Sequence, residues 1–279
     1  FHARAALLGQ WADADRVKPG QWGWSFDELL TAWTTVEAEG FDLVSCFDHV
    51  SAAPGVDAAW DAPTLLTAMA GATSRIRLAV HVLNTSLRPP LLLAGQLAVA
   101  QASSGGRVEV GLGTGSWHLA RPDHRVAGVP FPPFAERVGR LEACCRVFPQ
   151  LWRGETVSDD ALGLDGASFG PLGIEPPPIV VGGTSARVLA VAAAHGDGWN
   201  ASSVDARRFA ELAEHLSELI GDRPVERQVQ VWLREVGVDG AREAWDRYED
   251  AGADTLLFVL DDECDPDVIS RLATAVLSP

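Results

Sequence analysis

Short apolar runs alternate with amphipathic stretches along the whole chain, and this alternation constrains the fold more than any other feature. The apolar runs lie at 3–9, 41–47, 76–84, 107–112, 179–181, 197–201, 227–236 and 254–260. Between and after them, apolar positions recur at helical spacing over 28–39, 61–73, 91–103, 134–152, 186–195, 205–220, 240–251 and 266–277. Strands of this kind, separated by helices, pair in parallel through right-handed crossovers. Eight such units close most simply into a (β/α)8 barrel, an α/β fold that gathers its active site at the C-terminal ends of the strands. An open doubly wound sheet competes, but no Gly-x-Gly-x-x-Gly follows the first strand to favour it. No shift in composition divides residues 1–279, so a single domain is expected. Within it, 153–178 is rich in Gly, Asp and Pro and is expected to be an irregular insertion or lid.

Charge narrows the partners. A formal net charge of -16 argues against nucleic acid and against an anionic membrane surface. A phosphate-bearing ligand would therefore need local donors. No apolar run is long enough to span a bilayer, and no secretory leader is evident. Cys46, Cys144, Cys145 and Cys264 show neither a CxxC pair nor metal-ligand spacing, which fits reduced thiols in a cytoplasmic protein.

The most informative stretch is 176–201, PPPIVVGGTSARVLAVAAAHGDGWNA. A buried strand runs into Gly182 and Gly183, which let the backbone turn sharply and approach a ligand. Thr184 and Ser185 then open a helix whose first N–H groups lack intrahelical acceptors. Free donors, two hydroxyls and the positive end of a helix dipole suit a phosphate. An ordinary hydroxyl-capped turn fits the same residues.

Other polar residues fall at strand ends: Asp48 and His49, His81 and Asn84, Thr114, Ser116, Trp117 and His118, and Trp199 and Asn200. His49 is the best candidate for moving a proton, because an imidazole titrates near neutrality. It is equally readable as a hydrogen-bonded rim histidine. Asp48 either caps a turn or steers His49. His81 sits in an apolar run and also reads as a satisfied core histidine. The run 111–116, GLGTGS, resembles a phosphate loop but lacks the Gly-Lys-Ser/Thr of a nucleoside triphosphate site. No GxSxG elbow appears, and no cluster of ligands names a metal.

The motifs GFD…DH (40–49), TSRIRLAVHVLN…RPP (73–90), SGGRVEVGLGTG (104–115), PFPPFAERVGRLE (130–142), LWRGE (151–155) and PPIVVGGTSARVLAVAAAHGDGWN (177–200), in this order, resemble the bacterial luciferase-like superfamily. Within it, the chain looks most like the actinobacterial branch that uses the deazaflavin coenzyme F420; flavin mononucleotide (FMN) enzymes share the motifs. The resemblance implies a (β/α)8 barrel and a cofactor phosphate on Gly182, Gly183, Thr184 and Ser185. It implies that His81, Val82 and Asn84 back the deazaflavin ring, with a bulge and a non-prolyl cis peptide at His81–Val82. Thr114, Gly115 and Ser116 would complete the cofactor site, and His49, with Asp48, would exchange a proton. Trp117 and Trp199 read equally as walls of the pocket and as simple packing.

Two residues depart from the family pattern. Ser116 stands where sugar-phosphate dehydrogenases of the family carry glutamate, and Arg88-Pro89-Pro90 replaces Arg-His-Pro. The first departure points away from sugar-phosphate oxidation. The expected activity is hydride transfer between coenzyme F420 and a small organic substrate, more in the sense of a reductase. The expected partners are a second copy of the chain and a separate reductase that supplies reduced cofactor. The alternatives are an FMN-dependent monooxygenase using reduced flavin and oxygen, and a non-catalytic flavin-binding protein.

Overall fold

The computed structural model describes residues 3–8, 25–50, 60–115, 117–260 and 265–277, with 3–8 and 117–119 as backbone alone. Along the chain run β1 (Ala3–Leu8), α1 (Phe26–Ala38), β2 (Leu43–Cys46), α2 (Ala62–Ala72), β3 (Arg77–Asn84), α3 (Pro90–Ser104) and β4 (Val108–Gly113). Then follow α4 (Trp117–Ala127), α5 (Phe134–Trp152), β5 (Val157–Asp159), β6 (Leu164–Ala167), β7 (Ile179–Gly182), α6 (Ala186–His195) and β8 (Gly198–Ser202). The last elements are α7 (Ala206–Ile220), β9 (Glu226–Trp232), α8 (Leu233–Val236), α9 (Ala241–Asp250), β10 (Thr255–Leu260) and α10 (Pro266–Leu277).

The strands form one curled parallel sheet in the order β2-β3-β4-β7-β8-β9-β10. Its two ends meet across β1, where Ala5 stands opposite Leu43 and Ala3 opposite Thr255. Helices cover the outside. Alternation along each strand sends one set of side chains outward and the other inward. Trp33, Phe148, Trp152, Phe209 and Trp245 belong to the large apolar layer between sheet and helices. Leu43, Phe47, Ala79, Trp232, Leu257 and Val259 form a separate cluster. They come from β2, β3, β9 and β10 and their ends, on the same face as the Ser45–His81 contact.

Local chemistry sets the helix starts. Ser25 and Glu28 form a reciprocal capping box on α1. Asp61 caps α2 ahead of Pro63, Ser185 caps α6 and Asp205 caps α7. Among the described residues, no helix is long and apolar enough to cross a membrane.

The alternation read from sequence holds, with three corrections. The span 117–133, where no helix is read between the run at 107–112 and the helix at 134–152, contains α4, whose helical pattern Pro122 interrupts. The span 153–178, expected as irregular, contains the antiparallel hairpin β5–β6. The expected strand 227–236 ends at Trp232, and its last residues turn into α8. Ser116, Cys264, and residues 9–24 and 51–59 lie outside the described residues.

Candidate active site

At the C-terminal ends of the strands lies a pocket of about 580 Å³. It is lined by Asp48, His49, His81, Val82, Asn84, Thr114, Gly115, Gly182, Gly183, Thr184 and Ser185. These include every catalytic and cofactor-binding residue expected from sequence except Ser116; Asn200 lines the pocket too, and Trp199 does not. A second cavity, of about 750 Å³, lies at the opposite ends of the strands, around Asp42, Arg77, Glu226 and Asp254. Its charges are mutually engaged: Arg77 meets Glu109 and Glu226, and Arg223 bonds to the carbonyls of Ala192, Ala193 and Gly196. The site residues expected from sequence line the smaller pocket and not this one.

The end of β3 shapes its back wall. The His81–Val82 peptide is cis, as the resemblance implied. The register against β4 shifts between Val80 and Leu83, so β3 carries one extra residue there, a bulge. The Val82 side chain fills space that glycines leave open. A Cβ on Gly113 would come within 2.5 Å of Val82 Cγ2, and one on Gly182 within 2.6 Å of Val82 Cγ1. Glycine at 113 thus serves packing against Val82. Gly183, at φ +138°, does need a backbone that only glycine adopts readily. Its carbonyl accepts a hydrogen bond from Trp199 Nε1 at 2.7 Å. Trp199 is fully buried and stacks on Phe209, so it buttresses the Gly183 turn instead of walling the pocket.

The residues expected to handle a proton pair differently from expectation. Asp48 does not steer His49. Its carboxylate is held by Arg88 at 2.7 and 2.8 Å and by the backbone N–H of Asn84 at 2.9 Å. Arg88 also reaches Asp61 at 2.8 Å. Although burial opposes it, the two carboxylates hold the guanidinium's pKa above its usual value. The residue that holds His49 is Asp123 of α4, with Oδ2 2.8 Å from Nδ1 and Oδ1 accepting from Val50 N–H at 3.2 Å. Its neighbour His124 meets the Pro130 carbonyl through Nδ1 at 2.6 Å and Asn84 Nδ2 through Nε2 at 2.9 Å. A carbonyl only accepts, so Nδ1 carries the proton and Nε2 accepts from Asn84. Burial lowers the pKa of His124, in keeping with this neutral ring.

Beneath the pocket, a polar chain crosses the interior. Ser45 Oγ lies 2.8 Å from His81 Nδ1. His81 Nε2 stands 3.1 Å from Glu109 Oε1, off the line of a hydrogen bond. Burial alone would raise the pKa of Glu109; His81, Arg77 and Gln228 outweigh it and hold the carboxyl below its usual value. Gln228 Nε2 donates to Glu109 at 2.9 Å, Asn200 Nδ2 faces Gln228 Oε1 at 3.5 Å, and Gln230 Nε2 donates to Asn200 Oδ1 at 2.7 Å. Gln230 Oε1 ends the row, buried and without a partner among the described residues.

Arg137 of α5 also lines the pocket and was not singled out from sequence, where it reads as one more charge on an amphipathic helix. Among the described residues, none of 153–178 lines the pocket. Phe169 rests beside Gly95 on the outer face of α3, and Gln101 bonds the Glu175 carbonyl. No group of three or more metal-ligating side chains occurs among the described residues.

A family model described as luciferase-like monooxygenase matches residues 9–265. An F420-dependent glucose-6-phosphate dehydrogenase from Kineococcus radiotolerans is 31% identical over 206 residues, covering 72% of this chain and 58% of that protein. The chain thus spans little more than half the length of the curated relatives it matches. A coenzyme F420 dependent tetrahydromethanopterin reductase from Methanopyrus kandleri superposes with a TM-score of 0.77 at 14% identity, covering 99% of this chain and 98% of that one. An F420-dependent secondary alcohol dehydrogenase, solved with an F420–acetone adduct, gives 0.76 at 16% identity, covering 99% and 98%. Both share the fold.

Proposed function

The chain belongs to the luciferase-like monooxygenase family, and from that premise we propose that it is an oxidoreductase transferring a hydride between coenzyme F420 and a small organic substrate. We read the ring of strands as a complete (β/α)8 barrel and residues 1–279 as one domain. The observation that carries the proposal is the joining of two features in one pocket: the Gly182–Ser185 turn at the head of α6, and His49 held by Asp123. The donor set fits a phosphate-bearing cofactor. Gly183 brings the backbone close, Ser185 caps the helix, and the first-turn N–H groups of α6 have no carbonyl one turn back.

Gly182, Gly183, Thr184 and Ser185 hold the phosphate, while His81, Val82, Asn84, Thr114 and Gly115 back the ring. When bound, the deazaflavin supplies a carbon centre, C5, that accepts or gives the hydride. The protein supplies orientation and the proton. The ionised Asp123 accepts the Nδ1 hydrogen of His49, which leaves Nε2 as the position that gives or takes a proton. Asp48 acts at one remove, clamping the ends of β2 and β3 through Arg88. The relatives are sugar-phosphate enzymes, but Ser116 stands where the family's sugar-phosphate dehydrogenases carry glutamate, so the substrate is proposed only as a small organic molecule. The active unit in this proposal is a homodimer served by a separate reductase.

Titration of intrinsic tryptophan fluorescence with coenzyme F420 and, separately, FMN tests the assignment. Saturable quenching by F420 at micromolar concentration, with FMN much weaker, is expected. Binding of FMN alone transfers the site to the monooxygenase reading, and binding of neither by the folded protein overturns both.

A further inference from the structure

Arg137 differs from the other arginines around the pocket because its charge has no counterpart. Arg88 is taken up by Asp48 and Asp61, and Arg140 by the carbonyls of Thr85 and Arg88. Arg137 is 4% exposed and meets no carboxylate among the described residues. Its guanidinium lies 4.1 Å over the Phe131 ring and 5.6 Å from that of Phe134. Among the described residues its guanidinium makes one long hydrogen bond, from Nη1 to the Pro132 carbonyl at 3.5 Å, and Nε is buried without a partner.

A guanidinium keeps its proton, so a buried one without an acid is costly until an anion completes it. The burial of Arg137 lowers its affinity for its own proton, as expected of an uncompensated charge. Arg137 lines the same pocket as Gly183, Thr184 and Ser185, where the head of α6 offers unpaired N–H groups. Two sources of positive potential thus face one space, and the aromatic rings fix the plane of the fork.

We propose that Arg137 and the N-terminus of α6 hold one oxyanion between them, the phosphate of the bound cofactor. The proposal rests on the deazaflavin reading above. It adds a side-chain anchor to a site otherwise built from backbone and hydroxyls. An anionic group on the substrate would offer the fork the same chemistry, and the test separates the two.

Wild type, Arg137→Met and Arg137→Lys are titrated by tryptophan fluorescence with coenzyme F420 and with its phosphate-free deazariboflavin core. Arg137→Met should bind F420 about 10- to 100-fold more weakly, the range for losing a charge-assisted hydrogen bond. The core should bind wild type and variant equally, which also reports that the pocket is intact. Arg137→Lys keeps the charge but not the fork, so its loss should be intermediate; it carries the test if the Met variant does not fold. Unchanged F420 affinity in the variants overturns the assignment, and a raised KM for an acidic substrate in that case moves the fork to the substrate. Equal weakening of both ligands also overturns it, because Arg137 would then only brace the Phe131–Phe134 turn. Failure of wild type to bind either ligand is instead the failure of the cofactor reading, and takes this assignment with it.

Discussion

His49 Nδ1 meets Asp123 Oδ2 at 2.8 Å, joining the end of β2 to a helix 74 residues further along the chain. Because the carboxylate has no proton to give, it selects the ring tautomer. Asp123→Asn reverses that selection, since the amide can donate to Nδ1 and shift the ring proton to Nε2. The expected loss is about 100-fold in kcat, the scale of a misdirected proton transfer, with F420 affinity within twofold of wild type. Nitrogen chemical shifts of His49 report the tautomer. A changed tautomer with an unchanged rate would remove His49 from the proton path.

Arg88 and Asp48 predict a stability effect. The Asp48 side chain is fully buried against an Arg88 side chain that is 11% exposed. Arg88→Met strands the carboxylate, and the expected cost is about 3–5 kcal/mol in urea unfolding at pH 7. Adding Asp48→Asn removes the stranded charge and should recover part of the loss. If the double variant is no better than the single, the damage comes from packing alone.

Glu109 sets a pH dependence. Its carboxyl has a lower pKa in the folded chain than in the unfolded one. The unfolded form therefore binds the proton more readily, and the stabilisation is complete above the unfolded value of about 4.3. It is lost as pH falls through the folded value. Glu109→Gln should flatten the acid limb of a plot of unfolding free energy against pH below about 4. At neutral pH it should cost about 3 kcal/mol by removing the buried carboxylate that meets His81 and Arg77. An acid limb as steep as wild type would show that other carboxylates govern it.

Gly182 and Val82 compete for one volume. A Cβ on Gly182 would lie 2.6 Å from Val82 Cγ1. Gly182→Ala should destabilise by about 1–3 kcal/mol through overpacking. Val82→Ala in the same chain should recover most of that, a coupling that thermal unfolding of the four-member cycle measures. Additive effects would mean that the back wall yields elsewhere.

What was legible in the sequence was local. An apolar run reads as a buried strand wherever it lies, so the strands of the sheet and the Gly182–Ser185 turn could be found from neighbours alone. Pairings across the chain carried no such mark. Asp48 sits beside His49 in sequence, yet each finds its partner far off, in Arg88 and Asp123. Pro122 hid the helix that supplies Asp123. Trp199 reads as a pocket wall because it lies near a strand end; it is instead a buried ring whose N–H reaches the Gly183 carbonyl.

The row from Glu109 through Gln228 and Asn200 to Gln230 runs in one sense only. A carboxylate can only receive, so each amide after it must turn its NH2 backwards, and the last is left showing an oxygen. One acid deep in the interior thereby dictates the sign of a dipole at the rim. A ligand that brings a hydrogen to Gln230 finds that sign already set; one that brings only lone pairs would have to turn three side chains at once.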